Sequence, residues 1–128
     1  MYLLDTHTLL WVIRGSNKLS ANAKKALNNS RARKFISAVS AYEIMNKYRI
    51  GKLYGFEDIA ENYLDVIHDF GADELPISEA HAHLAGRLEW SHRDPFDRLL
   101  AAQASIDNLT LLTNDPAFEA LPWVNTLW

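Results

Sequence analysis

A chain of 128 residues, 48% hydrophobic and 11% aromatic, has room for one packed core and is too apolar to remain disordered. It contains no cysteine, which excludes disulfide frameworks, thiolate zinc sites and cysteine nucleophiles. With 13 Lys and Arg against 16 Asp and Glu, the formal charge is −3. That is the wrong sign for a general nucleic-acid coat, but it does not exclude an enzyme acting on nucleic acid, since acids that bind divalent cations are much less negative in the bound form.

The first residues, MYLLD, read as a short strand that ends at Asp5. Thr6 to Ile13 follow as a short helix closed by Gly15, and Ser20 caps a second helix over Ala21 to Asn28. The basic cluster Arg31, Arg33 and Lys34 leads into a strand at Phe35 to Ser37. Ser40 and Glu43 stand in the S-x-x-E spacing of a capping box, which predicts a helix from Ser40 to a stop at Gly51. Ile59, Tyr63, Val66, Ile67 and Phe70 recur at helical spacing and predict one long amphipathic helix over Phe56 to Phe70. Glu74 to Ile77 reads as a third strand, and Ser78 caps a helix over Glu79 to Leu88. The polar loop EWSHRDP opens a helix near Pro95, where the missing N–H of proline costs no hydrogen bond. LTLLT then forms a strand to Thr113, Asn114-Asp115-Pro116 a turn, and PWVNTLW a last short strand.

Strands alternating with helices in this way predict a single α/β domain over residues 1–128, with a parallel sheet flanked by helices. Ligands of such sheets bind beyond the carboxyl ends of the strands. No run is long enough to cross a bilayer, and the N-terminus lacks the basic stretch of a signal peptide. A cytoplasmic location, without a membrane partner, is the expectation.

Five carboxylates fall where strands turn into helices or where helices begin: Asp5, Glu43, Asp94, Asp97 and Asp115. Each also fits an ordinary local role. Asp5 and Asp94 could cap helices, Glu43 could close the capping box with Ser40, Asp97 could complement a helix dipole, and Asp115 could hold its turn. Their joint placement on one edge of the sheet argues for more, because gathered carboxylates repel one another unless a cation joins them. Hard oxygen donors of this kind suit Mg²⁺ or Mn²⁺, and metal-assisted phosphoryl chemistry is the reaction class.

The segments MYLLDTHTLLW, SAVSAYEIMNK, HRDPFDRLLAAQA and LLTNDPAF together resemble the signature blocks of PIN domains, and among these the VapC-like ribonuclease toxins. The resemblance spans Tyr2 to Phe118. It implies a three-layer α/β/α PIN-like fold and a Mg²⁺- or Mn²⁺-dependent endoribonuclease paired with an antitoxin protein. It also implies that Asp5, Glu43, Asp97 and Asp115 are the catalytic acids and metal ligands. Asp94 belongs to a variant of the third block, as a further ligand or only a cap. Thr6 and Thr113 resemble supporting hydroxyls.

An empty acidic pocket repels RNA, so basic side chains must guide the strand. Arg93 and Arg98 flank the third block as candidate phosphate contacts, with Lys47 and Arg49 as further ones. Trp11, Tyr42 and Trp90 are candidate stacking residues, although Trp11 and Tyr42 lie in apolar segments that favour packing. His81 and His83 are two positions apart and face different sides of a helix, which argues against a histidine zinc site. His92 lies beside the acids, within reach of substrate, and His7 beside the Asp5 turn. The apolar C-terminal segment and the 56–70 helix suggest a homodimer. The competing readings are another Mg²⁺-dependent phosphoryl-transfer enzyme, such as a DNA nuclease or phosphatase, and an inactive binding module.

Overall fold

The computed structural model describes residues 1–128 and contains five strands, seven α-helices and one 3₁₀ turn. The strands are β1 (Tyr2–Leu4), β2 (Lys34–Ser37), β3 (Asp73–Leu75), β4 (Thr110–Leu112) and β5 (Thr126–Leu127). The helices are α1 (Thr6–Arg14), α2 (Ala21–Asn28), α3 (Ala38–Arg49), α4 (Glu57–Glu61), α5 (Tyr63–Phe70), α6 (Glu79–Arg87) and α7 (Pro95–Ile106). All strand pairs are parallel, in the order β3-β2-β1-β4-β5. The chain moves outward from β1 to β2 and β3, then crosses back to β4 on the other side. The strand order therefore reverses beside β1, and the crevice beyond the carboxyl ends of β1 and β4 is where such sheets bind ligands.

Strand alternation builds the three layers. Leu4, Ile36 and Leu112 face one side, where they meet Leu9 and Leu10 of α1, Ile44 of α3 and Ile59 of α4. Leu3 and Leu111 face the other side and meet Leu100, Ala101 and Ala104 of α7, with Phe118 and Val124. Every leucine in the two β1–β4 pairs is fully buried, each contributing about 1.5–3 kcal/mol. The sheet is thus covered on both faces, as an all-parallel sheet requires.

Two predicted helices differ from the sequence expectation. The helix holding Glu43 starts at Ala38 rather than after Ser40, because Ser37 ends β2 with extended backbone and its Oγ accepts from the Val39 N–H at 3.0 Å. There is no Ser40–Glu43 capping box: Ser40 is fully buried and shares a 2.9 Å hydrogen bond with the Thr6 hydroxyl. The 56–70 helix is two helices, α4 and α5, divided at Asn62. The Asn62 side chain donates to the Asp58 carbonyl, a local bond that competes with helical continuation. The break turns Leu64 outward to 80% exposure. The third strand begins one residue before the expected start, at Asp73, and ends at Leu75, and Asp115 opens a 3₁₀ turn (Pro116–Ala120) that the turn signal alone did not reveal.

A buried polar clamp closes the same edge of the sheet. The Ser37 hydroxyl and Gln103 Oε1 are 2.6 Å apart, and Gln103 Nε2 donates to the carbonyls of Leu75 and Pro76. Gln103 is fully buried, so it joins β2, the end of β3 and α7 at no cost in unpaired groups. Replacing it with Leu strands three partners. Gln103→Leu is expected to lower unfolding free energy by about 1–3 kcal/mol, read as a lower urea midpoint with an unchanged slope.

Candidate metal centre

Asp5 directly follows the central strand β1 and is 5% exposed. It holds the N-cap position of α1, yet its carboxylate makes no capping hydrogen bond. Instead Oδ2 accepts from the Thr113 hydroxyl at 2.7 Å, and Thr113 Oγ1 in turn accepts from the Asp115 N–H at 3.1 Å. Thr113 therefore ties the acid after β1 to the acid after β4. Glu43 lies on the second turn of α3, 4% exposed. Its Oε2 accepts from Lys47 Nζ at 2.7 Å, while its Oε1 is buried with no partner at all. Asp97 occupies the first turn of α7, and its Oδ2 lies 2.7 Å from His92 Nε2.

Asp94 and Asp115 do act as caps. Asp94 Oδ1 accepts from the N–H groups of Phe96 and Asp97, and Asp115 Oδ1 accepts from the N–H of Ala117. Capping uses one oxygen of each and leaves the other without a protein donor. His92, Asp94 and Asp97 each bring one ligand atom to within 4.8 Å of the others, the tightest metal-type grouping in the chain.

Burial and like charge act on these acids together. Burial pushes the Asp5 carboxyl above its ordinary range, the nearby Glu43 raises it further, and Thr113 and His7 oppose the shift. Burial pushes Asp97 up to about 7; the His92 hydrogen bond works against this, and Asp94, Asp5 and Glu43 add repulsion. Asp5, Glu43, Asp94 and Asp97 therefore share one electrostatic field, with Asp115 attached through Thr113. Lys47 and His92 are the basic side chains in direct contact with these acids. The buried Glu43 oxygen without a partner and the neighbouring carboxylates are oxygen donors of the type that hard divalent cations take.

The sequence matches the family model of the PIN domain over residues 2–124. The chain belongs to the PIN domain family. This PIN domain shares its fold with several solved structures. It superposes on a VapBC of Salmonella typhimurium bound to DNA with a TM-score of 0.71 at 21% identity, covering 98% of this chain and 96% of that one. A FitAcB structure from Neisseria gonorrhoeae gives 0.70 at 20% identity, covering 100% and 97%. VapBC2 of Rickettsia felis, bound to a promoter DNA fragment, gives 0.69 at 19% identity, covering 98% and 96%. Among curated proteins, none matches the chain in sequence.

Several side chains lie elsewhere than the sequence suggested. The guanidinium of Arg98 is spent on four carbonyls, those of Ala85, Leu88, Trp90 and His92, at 2.6–3.0 Å. It is a clamp on the 88–92 loop, not a free phosphate ligand, and through that loop it places His92 against Asp97. Arg93 is exposed and free. Thr6 is buried, and its hydroxyl bonds Ser40 and none of the acids. Arg49 bonds Asn46. Tyr42 is not packed in the core: it is 65% exposed, its ring against Phe96. His81 is buried, bonded to Asp107 and to the Ser78 cap, and so serves α6–α7 packing. Lys47, expected as a phosphate contact, pairs with Glu43 instead; the i,i+4 spacing was the signal for it, whereas the His92–Asp97 contact depends on the loop path set by Arg98.

The raised Asp97 carboxyl has a consequence for the metal-free PIN domain. Its proton is bound more tightly in the folded than in the unfolded chain, so stability is greatest below the ordinary value of 3.8 and falls as pH rises towards about 7. Asp97→Asn keeps the shape and removes the charge. In EDTA at pH 7.5 it is expected to be more stable than wild type by about 1–2 kcal/mol, with the difference vanishing near pH 4, as urea melts across that range measure.

Proposed function

We propose that this PIN domain is a divalent-metal-dependent endoribonuclease that hydrolyses RNA phosphodiester bonds as the toxin of a toxin–antitoxin pair. The observation that carries the reading is the buried, unpartnered oxygen of Glu43, an acid near enough to Asp5 and Asp97 to raise both. Asp5, Glu43, Asp97 and Asp115 are the proposed ligands, with Asp94 contributing its uncapped oxygen. Oxygen donors favour Mg²⁺ or Mn²⁺. Such an ion, when bound, supplies activation of water and stabilises charge building on the phosphodiester.

The chain's own residues hold that site in shape. Thr113 fixes one oxygen of Asp5, and the other is the proposed cation ligand. Lys47 screens Glu43, and His92 orients Asp97. Arg93, exposed beside the acids, is the proposed contact to a substrate phosphate. Arg98 acts one step back, by holding the loop that carries His92.

An antitoxin partner and a homodimer are part of the proposal. The antitoxin partner is supported by structural neighbours described as belonging to toxin–antitoxin systems, from Klebsiella pneumoniae and Mycobacterium tuberculosis. Leu64 at 80% exposure, Met45 at 40% and Trp123 at 45% offer apolar surface for such contacts. No helix is long and apolar enough to cross a membrane, which is compatible with the proposed cytoplasmic setting.

Purified protein incubated with single-stranded and structured RNA is expected to cleave in Mg²⁺ or Mn²⁺ and to stop in EDTA. Asp5→Ala and Asp97→Asn are each expected to reduce the cleavage rate at least about a hundredfold, since even indirect ligand partners are worth about 10–100-fold. Cleavage that persists in EDTA or in both variants contradicts the reading, and DNA cut in preference to RNA contradicts its substrate.

A further inference from the structure

Beside the acids lies a cleft of about 190 Å³ between α1 and the loop that follows α3. Its walls include Thr6, His7, Lys47, Lys52, Tyr54 and Phe56. Two of these connect it directly to the metal centre: Thr6 follows Asp5 in the chain, and Lys47 is bonded to Glu43. The cleft is therefore the immediate neighbour of the carboxylates, and it has the opposite charge.

The 50–56 loop is built to present two side chains there. Gly51 and Gly55 both have positive φ, of 73° and 82°, which turns the chain off α3 and back towards α4. Between them Leu53 is 4% exposed and anchored in the core, so its neighbours Lys52 and Tyr54 point outward. Arg14 at the end of α1 pins the loop by donating to the Gly55 carbonyl at 3.0 Å and to Asp58 at 2.6 Å. Lys52 is exposed and belongs to no ion pair. Tyr54 is 77% exposed, a large ring held open to solvent on a pinned loop. His7 is exposed on the opposite wall.

We propose that this cleft seats the nucleotide adjoining the scissile bond of a single-stranded RNA. Lys52 and His7 take its phosphate, and Tyr54 stacks on its base. The inference rests on the nuclease reading of the neighbouring acids and adds a substrate path to it. A cationic side chain beside an open aromatic face is the pairing by which single strands are held without sequence readout. A duplex keeps its bases stacked inside and cannot offer one to Tyr54, so the cleft selects for unpaired RNA. The path also answers the electrostatic problem of the site: the strand is drawn in on the Lys52 side, away from the repelling carboxylates.

The test uses the full chain carrying Asp97→Asn, so that RNA is bound and not cut, with a fluorescently labelled single-stranded RNA dodecamer read by anisotropy. Tyr54→Ala is expected to weaken binding about tenfold and Tyr54→Phe to leave it nearly unchanged, because stacking needs the ring and not the hydroxyl. Lys52→Ala is expected to weaken binding and to reduce the slope of log affinity against log salt by about 0.7. Duplex RNA of the same length should bind more weakly than the single strand and be indifferent to Tyr54→Ala. Both positions are exposed, and matching thermal melts exclude misfolding as the cause. Unchanged binding in Lys52→Ala and Tyr54→Ala, or no binding of single-stranded RNA by the parent, overturns the proposal. The same substitutions in the otherwise wild-type chain keep the two ideas apart. Metal-dependent cleavage with unaltered KM in both variants removes the cleft and leaves the nuclease standing, whereas a wild-type chain that cleaves nothing in Mg²⁺ or Mn²⁺ removes the nuclease reading itself.

Discussion

Negative charge confined at the carboxyl edge of the sheet is the constraint around which this structure is organised. Asp5 and Glu43 are almost fully buried, and burial, with repulsion from Asp94, Asp5 and Glu43 added, pushes the Asp97 carboxyl up to about 7. Folding alone does not reward such an arrangement. Burial penalises each charge, and each charge penalises the others. The fold tolerates it because hydrophobic burial on both faces of the sheet, from Leu3, Leu4, Leu111 and Leu112 outward, is large enough to offset it. A site that is unfavourable when empty and becomes favourable on binding a cation is a common signature of function rather than stability.

The topology explains why the acids meet. β1 is central, β4 lies beside it, and both run in the same direction, so Asp5 and the Thr113–Asp115 turn emerge side by side. α3 leaves β2 from the same edge and delivers Glu43, and α7 begins there with Asp94 and Asp97. Around this edge the polar residues act as braces. Gln103 ties β2 to α7 and the end of β3, and Arg98 draws the 88–92 loop inward by its carbonyls. His92 thereby reaches Asp97. The braces hold the carboxylates in place despite their repulsion, which is the preorganisation that metal-assisted chemistry requires.

Much of this was legible in the sequence because it followed from local chemistry. The strand-to-helix joins, the Ser20 and Ser78 caps, Pro95 at a helix start and the parallel arrangement all follow from residue type and spacing. The acids were legible as a group, but their separate roles were not. Each of the five had an ordinary local role available to it, and only the structure separates Asp94 and Asp115, which do cap, from Asp5, Glu43 and Asp97, which do not. Ser40 misled because Ser37, three residues earlier, took the cap and freed Ser40 to pair with Thr6 across the sheet edge. Asn62 broke a helix that its hydrophobic period favoured, through a single side-chain bond to the backbone. Arg98 read as a substrate contact because its charge was visible and its four carbonyl partners, set by a tertiary loop path, were not. The cleft beside α1 was hidden for the same reason: Lys52 and Tyr54 acquire meaning only once Leu53 is known to be buried between them.

The central claim is that the buried carboxylates form a divalent-cation site, and cation binding itself tests it more directly than catalysis. Calorimetric titration of the purified chain with Mn²⁺ is expected to show saturable binding, weakened tenfold or more by Glu43→Gln, which preserves the shape of the one side chain whose buried oxygen lacks a partner. No saturable binding by the wild-type chain, or equal binding by Glu43→Gln, would contradict the account.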